Sequence, residues 1–307
     1  MKLFTFSLIA IGSMISSQRS HGQTFVLTPS KDASIGFHDN YNSANTNYGN
    51  AIHYSGFSQP GASGGENAGM GIMAFDLSML PPGTVIADAR LDLFGCGPFG
   101  AGDAASVGDL GHNACYLERI TTDWDEYTVT YNTQPLATTM HRAHLQWSTS
   151  VDEDYTDINV TAMVQDMIND PEHSFGIRIR LRNEEPTRAM AFWSKDGAPS
   201  DDLKPHLRIT LQNEGLTSAQ EIKSQVSESL IYPNPFHLKT TIEFNNDFSA
   251  SKAHMLVVNM LGQVVSTQDV SGMKTAEFDA RGLNPGVYRF MVIVDGLVAE
   301  RGELLVN

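Results

Sequence analysis

The run Gly176-Ile177-Arg178-Ile179-Arg180-Leu181-Arg182 alternates apolar residues with arginines. Successive side chains of a β-strand point to opposite faces, so Ile177, Ile179 and Leu181 are expected in a core and Arg178, Arg180 and Arg182 on the other face, about 6.6 Å apart. Guanidinium groups grip carboxylates through paired N–H donors, and a ladder of them suits a linear polyanion such as a uronic-acid chain or a sulfated glycan. Arg188, Lys195 and Lys204 follow in the chain and would widen the patch. The same spacing fits another use, in which Asp and Glu of neighbouring strands pair with each arginine. Such exposed pairs are common on sheets and add little stability. Both readings stand, because 25 Asp and Glu lie between Thr24 and Gly215.

Flat side chains are the second class of candidate, since sugar rings stack on them. Trp193 and Trp147 lie in strand-like contexts, whereas Trp124 sits in a turn-rich segment where packing is the simpler role. Tyr41, Tyr48 and Tyr54 fall in an Asn- and Gly-rich region that reads as loops rimming a sheet edge. Closely spaced oxygens for a hard cation occur at Asp152-Glu153-Asp154-Tyr155-Thr156-Asp157. That run lacks the glycine and terminal glutamate of an EF-hand loop, and a solvated charge cluster is the competing reading. His141 and His144 form no zinc pattern. Nothing linear marks catalysis: Gly56-Phe57-Ser58-Gln59-Pro60 lacks the second glycine of a nucleophile elbow, and no pair of carboxylates stands out.

The segment Thr24 to Gly215 holds 11 Lys and Arg against those 25 acids, a balance of −14 within the −15 of the whole chain. Such acidity argues against nucleic-acid binding, which relies on basic surface to neutralise phosphates. Lys2, the apolar run Leu3 to Ile15, and Ser20 and Gly22 before Gln23 have the layout of a cleaved export signal over residues 1–22. No later run approaches the roughly 20 apolar residues of a membrane-spanning helix. The two cysteines, Cys96 and Cys115, bracket a Gly- and Ala-rich stretch, and in an exported protein such a pair is expected to form a disulfide.

Short β-rich runs separated by Gly, Pro, Asn and Asp dominate from Thr24 to Gln212. They include 71–75, 86–94, 127–131, 175–181, 190–193 and 206–211. One helix is expected, over Val160 to Ile168, with Thr161 as a capping candidate. The pattern gives an all-β fold, a jelly-roll-like antiparallel β-sandwich over 24–212. A polar, Ser- and Gln-rich stretch over 213–229 reads as a linker. Six or seven short strands over 230–307 fit a small Ig-like β-sandwich tail.

Ordered segments here resemble a known family. Pro29-Ser30-Lys31-Asp32-Ala33-Ser34, Asn47-Tyr48-Gly49, Met73 to Gly83, Ile86 to Leu91, Trp124 to Asn132, Ile158 to Thr161, Phe175-Gly176-Ile177, Phe192-Trp193-Ser194-Lys195-Asp196 and Pro205-His206-Leu207 follow the order of DNRLRE-type domains, the family-96 carbohydrate-binding modules. Tyr131 stands where that family usually has tryptophan, and the stretch between Cys96 and Cys115 looks like an insertion. At the other end, Tyr232-Pro233-Asn234-Pro235, Leu261-Gly262-Gln263 and Leu283 to Phe290 resemble the type A C-terminal sorting domain of the type IX secretion system. The resemblance implies a secreted or surface-displayed carbohydrate-binding protein, handled through its tail by that export machinery, with alginate-like anionic polysaccharide as ligand. Arg178, Arg180, Arg182, Arg188, Lys195 and Trp193 are the residues placed at its site. A structural calcium, common in jelly-roll carbohydrate modules, would draw on Asp32 or the 152–157 run. A surface or matrix module without a sugar site, and a polysaccharide lyase or hydrolase, are the alternatives.

Overall fold

A computed structural model describes residues 24–38, 43–61, 64–97, 113–185, 187–212, 227–246, 248, 252–294 and 297–307. The expected export signal, Tyr41, the interior of the stretch between the cysteines and most of the linker lie outside these residues.

The first unit contains β1 (Thr24–Leu27), β2 (Lys31–His38), β3 (His53–Pro60), β4 (Glu66–Ala74), β5 (Ile86–Leu93), β6 (Cys115–Ile120), β7 (Ala137–Leu145), β8 (Tyr155–Asn159), α1 (Thr161–Asn169), β9 (Ile177–Leu181), β10 (Arg188–Trp193) and β11 (His206–Leu211). They form an antiparallel sandwich: a four-stranded sheet in the order β1-β11-β5-β8 faces a larger one in the order β10-β3-β4-β9-β6-β7, with β2 also paired to β4. Alternation drives the assembly. Phe25, Leu91, Leu207 and Ile209 of the first sheet meet Met73, Leu117, Ile177, Ile179 and Phe192 of the second, all at 0–1% exposure. Full burial of each such side chain contributes about 1.5–3 kcal/mol. A smaller core of Ile35, Ile72, Ile120, Trp124 and Val129 lies apart from the main one. There Trp124 donates its indole N–H to the Phe175 carbonyl at 2.9 Å, so this tryptophan packs a turn.

Local chemistry overrides several expectations. Residues 127–131 are not a strand: the Asp125 carbonyl accepts from Thr128 and Val129, and its carboxylate accepts from Tyr127, folding the β-prone sequence into turns. Helix α1 forms where the apolar stripe predicts it, burying Met163, Val164, Met167 and Ile168, but Thr161 does not cap it. Its Oγ1 instead accepts from the Ala89 N–H at 2.9 Å, tying the helix to β5. Tyr54 is no rim residue; it is 1% exposed in β3 and donates to the Ile177 carbonyl. The expected disulfide is absent. Cys115 points into the sandwich core as a free thiol beside the Asn113 carbonyl, while Cys96, also free, lies half-buried beyond the end of β5 in the other sheet.

The second unit contains β12 (Ser227–Glu228), β13 (Leu230–Tyr232), β14 (Lys239–Glu243), β15 (Ala253–Val258), β16 (Val264–Asp269), β17 (Thr275–Asp279), β18 (Gly286–Val294) and β19 (Leu297–Val306). A five-stranded sheet (β12-β19-β18-β15-β16) and a three-stranded one (β13-β14-β17) enclose Phe236, Ile242, Met255, Val257, Phe278, Phe290 and Val292. This is the small sandwich expected at the C-terminal side.

Candidate functional site

Strand β9 behaves as its alternation requires: Ile177, Ile179 and Leu181 are buried, and Arg178 and Arg180 take the opposite face. Gly176 sets the approach to β9 from positive φ (+127°), and a Cβ there would come within 2.1 Å of the Met73 carbonyl. The neighbour that decides what the arginines do is β6, which pairs Glu118 with Arg178 and Tyr116 with Arg180. Glu118, 1% exposed, accepts from Arg178 Nη2 at 2.6 Å and from Arg180 Nε and Nη2 at 3.0 and 3.2 Å. Arg142 Nη1, on β7, stands 3.7 Å away. Burial alone would raise the Glu118 carboxyl, but hydrogen bonds from Arg180 and Arg178 outweigh it and hold the group below its ordinary value.

Around this carboxylate the cations are in excess. Arg142, Arg178 and Arg180 face Glu118, with Glu184 only at 4.0 Å from Arg180, and exposed Arg182 lies farther along the same face. Tyr116 gathers them: the Arg142 guanidinium lies 3.7 Å from its ring centroid, those of Arg180 and Arg182 5.3 Å, and the His144 ring meets it edge-on. The tyrosine is therefore a shelf for guanidinium groups, through cation–π attraction.

The other expected site residues are elsewhere. Strand β10 is three places from β9 along the sheet, so Arg188 and Trp193 do not extend the ladder. Arg188 pairs with Glu185 at 2.5 Å, Trp193 is half-buried beside His53, and Lys204 pairs with Asp201 at 2.7 Å. Trp147 is exposed and Tyr48 half-buried. Lys195 anchors a second ionic cluster: its Nζ meets Glu126 at 2.7 Å and Asp196 at 2.9 Å, and its backbone N–H donates to Asp32 Oδ2 at 2.6 Å. Oxygens of Asp32, Glu126 and Asp196 come within 4.8 Å of one another, a spacing suited to a cation, and the cation against them is this ammonium. Asp32 is 1% exposed, its Oδ1 has no hydrogen-bond partner, and burial pushes its carboxyl up to about 6 despite the Lys195 contacts. The Asp152–Asp157 run does not converge. Asp154 accepts from Gly95, Glu153 from Thr149, and Asp157 pairs with Arg208 and Arg90. His141 pairs with Asp166 of α1 at 2.7 Å.

Tyr116, Glu118 and Arg142 escape sequence reading, and His144 enters it only beside His141 as a zinc pattern that does not form. The alternation of Tyr116 and Glu118 with buried Cys115 and Leu117 marks them as one face of a strand, but their pairing with β9 spans about sixty residues and leaves no linear trace.

The chain thus builds two β-sandwiches in series, the first with a charged outer sheet face. Residues 23–211 match carbohydrate-binding module family 96, and the chain belongs to that family. Residues 230–299 match the secretion system C-terminal sorting domain, which directs proteins to the cell surface or beyond it. The module binds carbohydrate, a family role of binding rather than catalysis. Among curated proteins none matches the chain. Solved structures similar to it include native alpha-2-macroglobulin from Escherichia coli spanning domains MG0-NIE-MG1, at 10% identity and a TM-score of 0.21 over 94% of each chain. Another is Parabacteroides merdae beta-glucuronidase, at 9% identity and 0.17 over 76% of this chain and 26% of the other. Neither likeness bears on function. No helix among the described residues is long and apolar enough to cross a membrane.

Proposed function

We propose that this secreted carbohydrate-binding module takes an anionic polysaccharide, an alginate-like uronic-acid chain, on the outer face of β7, β6 and β9. The observation that carries this reading is the imbalance around Glu118 and Tyr116: three guanidinium groups share one buried carboxylate, with a second carboxylate only at 4.0 Å, and a fourth, that of Arg182, lies over the Tyr116 ring, in a module whose balance is −14. Guanidinium groups left with spare N–H donors bind carboxylates in forked geometry. Arg142 and Arg182, at the rim, supply ligand contacts, whereas Arg178 and Arg180 hold the platform through Glu118. Affinity should fall as salt rises, because exposed charges are screened over a Debye length of roughly 10 Å at 0.1 M.

The full chain titrated with alginate oligomers by calorimetry is the test. Replacing Arg142 and Arg182 together with alanine should weaken binding about tenfold or more, with the fold intact. Undiminished binding would remove the ligand from this face. The pairing of Arg178 and Arg180 with Glu118 also favours a second reading, a surface module in which the ladder is structural. Failure across a glycan array by the folded protein would support that one. Release of unsaturated or reducing sugars would instead indicate catalysis.

A further inference from the structure

Strands β15 and β18 of the tail are apolar on both faces. Met255, Val257, Phe290 and Val292 fill the tail's own core, yet the alternate residues Leu256, Val258, Met291 and Ile293 are also only 0–6% exposed. A sheet that covers one core and meets water on its other side alternates apolar with polar residues, whereas continuous apolar runs belong to sheets covered twice. Here the second cover is the carbohydrate-binding module. Those four residues, flanked by Val264 and Val298, belong to the same continuous core as Phe25, Leu27 and Met167.

Polar contacts fix the same seam. The Val26 N–H, on edge strand β1, donates to the Gly262 carbonyl at 2.9 Å, and Val26 bridges Gln263 in parallel register. Gly262 takes positive φ (+82°), which turns the chain back toward β16 beside Val26. A cavity of ≈ 290 Å³ opens between Leu80, Pro82, Met167 and Pro171 of the module and Lys252 and His254 of the tail.

We propose that the tail is held on the module by this apolar face and not by the connecting segment alone, so cutting the connector does not by itself free the module. A partner that takes the tail by the β15 and β18 face must first displace the module from it. Release then takes two events, a peptide cut and an undocking.

The full chain with a protease site inserted between residues 216 and 224 tests this. After cutting, the two pieces should co-elute in size exclusion at micromolar concentration, and elution as two separate folded species would overturn the proposal. Substituting Met291→Glu together with Ile293→Glu should make the cut pieces separate; co-elution as tight as wild type would overturn the assignment of the face. Should that variant fail to fold, Val26→Pro takes away the edge-strand N–H that meets Gly262 together with the valine side chain beside it, and should weaken re-association of the cut pieces about fivefold or more. Unchanged re-association would overturn the β1 contact.

Discussion

Two ionic clusters in the module are near mirror images in sign. On the outer face of β6 and β9, one carboxylate, Glu118, is surrounded by guanidinium groups. Where β2, the 123–135 turns and the segment after β10 converge, one ammonium, Lys195, is surrounded by carboxylates. The first has spare positive charge with Arg182 exposed; the second has spare negative charge with Asp32 and Glu126 almost wholly buried. Excess charge at an open surface can be answered by a ligand. Excess charge in the interior has to be answered by the fold or by a proton.

Glu118→Ala should have the largest effect, because it leaves two half-buried arginines without their shared acceptor. A loss of about 3–5 kcal/mol in denaturant unfolding is expected, as for breaking a buried pair. Little change would mean that water serves those guanidinium groups and that the cluster is looser than drawn. Lys195→Met should come next, at about 2–4 kcal/mol, since three carboxylates would lose their one cation. A deficit as large as that of Glu118→Ala would make the two clusters equivalent and erase the contrast between them.

Third is the response to pH. The Asp32 carboxyl titrates near 6 in the folded chain against 3.8 for its ordinary value, so the folded state holds the proton more tightly. The stabilisation from that proton is fully present below about pH 4 and is lost as pH rises through 6, amounting to about 3 kcal/mol. Lys195, Asp196 and Glu126 all face this group. Asp32→Asn, which keeps an oxygen for the Lys195 N–H, should flatten the unfolding midpoint between pH 4 and 7; an unaltered profile would place the titration elsewhere. Smallest is Arg182→Ala, expected to leave stability within about 0.5 kcal/mol. A larger loss would show that this exposed arginine holds the fold and is not free for a ligand.

The sequence makes the two clusters legible to different depths. Alternation around Arg178 and Arg180 shows which way they point, because strand geometry is local. That Glu118 stands opposite them depends on β6 pairing with β9, a contact set by the whole sandwich. Tyr54 is hidden for a related reason: its Asn- and Gly-rich surroundings suggest loop, yet its cross-strand partner Phe192 and the room left by Gly71, where a Cβ would strike the ring, shape a core slot around it. Residues 127–131 have every intrinsic mark of a strand, and a single turn-forming aspartate, Asp125, outcompetes it. The cysteines mislead because shared loop ends do not imply shared faces: Cys115 points inward from one sheet while Cys96 trails the other. The tail was legible in most of its strands, since Gly, Pro and Asn turns separate its apolar runs.

Gly176 carries a consequence for how this surface is aimed. Because side chains alternate with a period of two, sliding β9 by one residue would turn the arginines inward and the isoleucines out to water. With the Met73 carbonyl 2.1 Å from where a Cβ would be, the chain can enter the sheet at this point only as glycine. It works as an index notch that fixes the register of β9, so a methyl group added there, on a residue with no charge of its own, should misdirect the charges themselves.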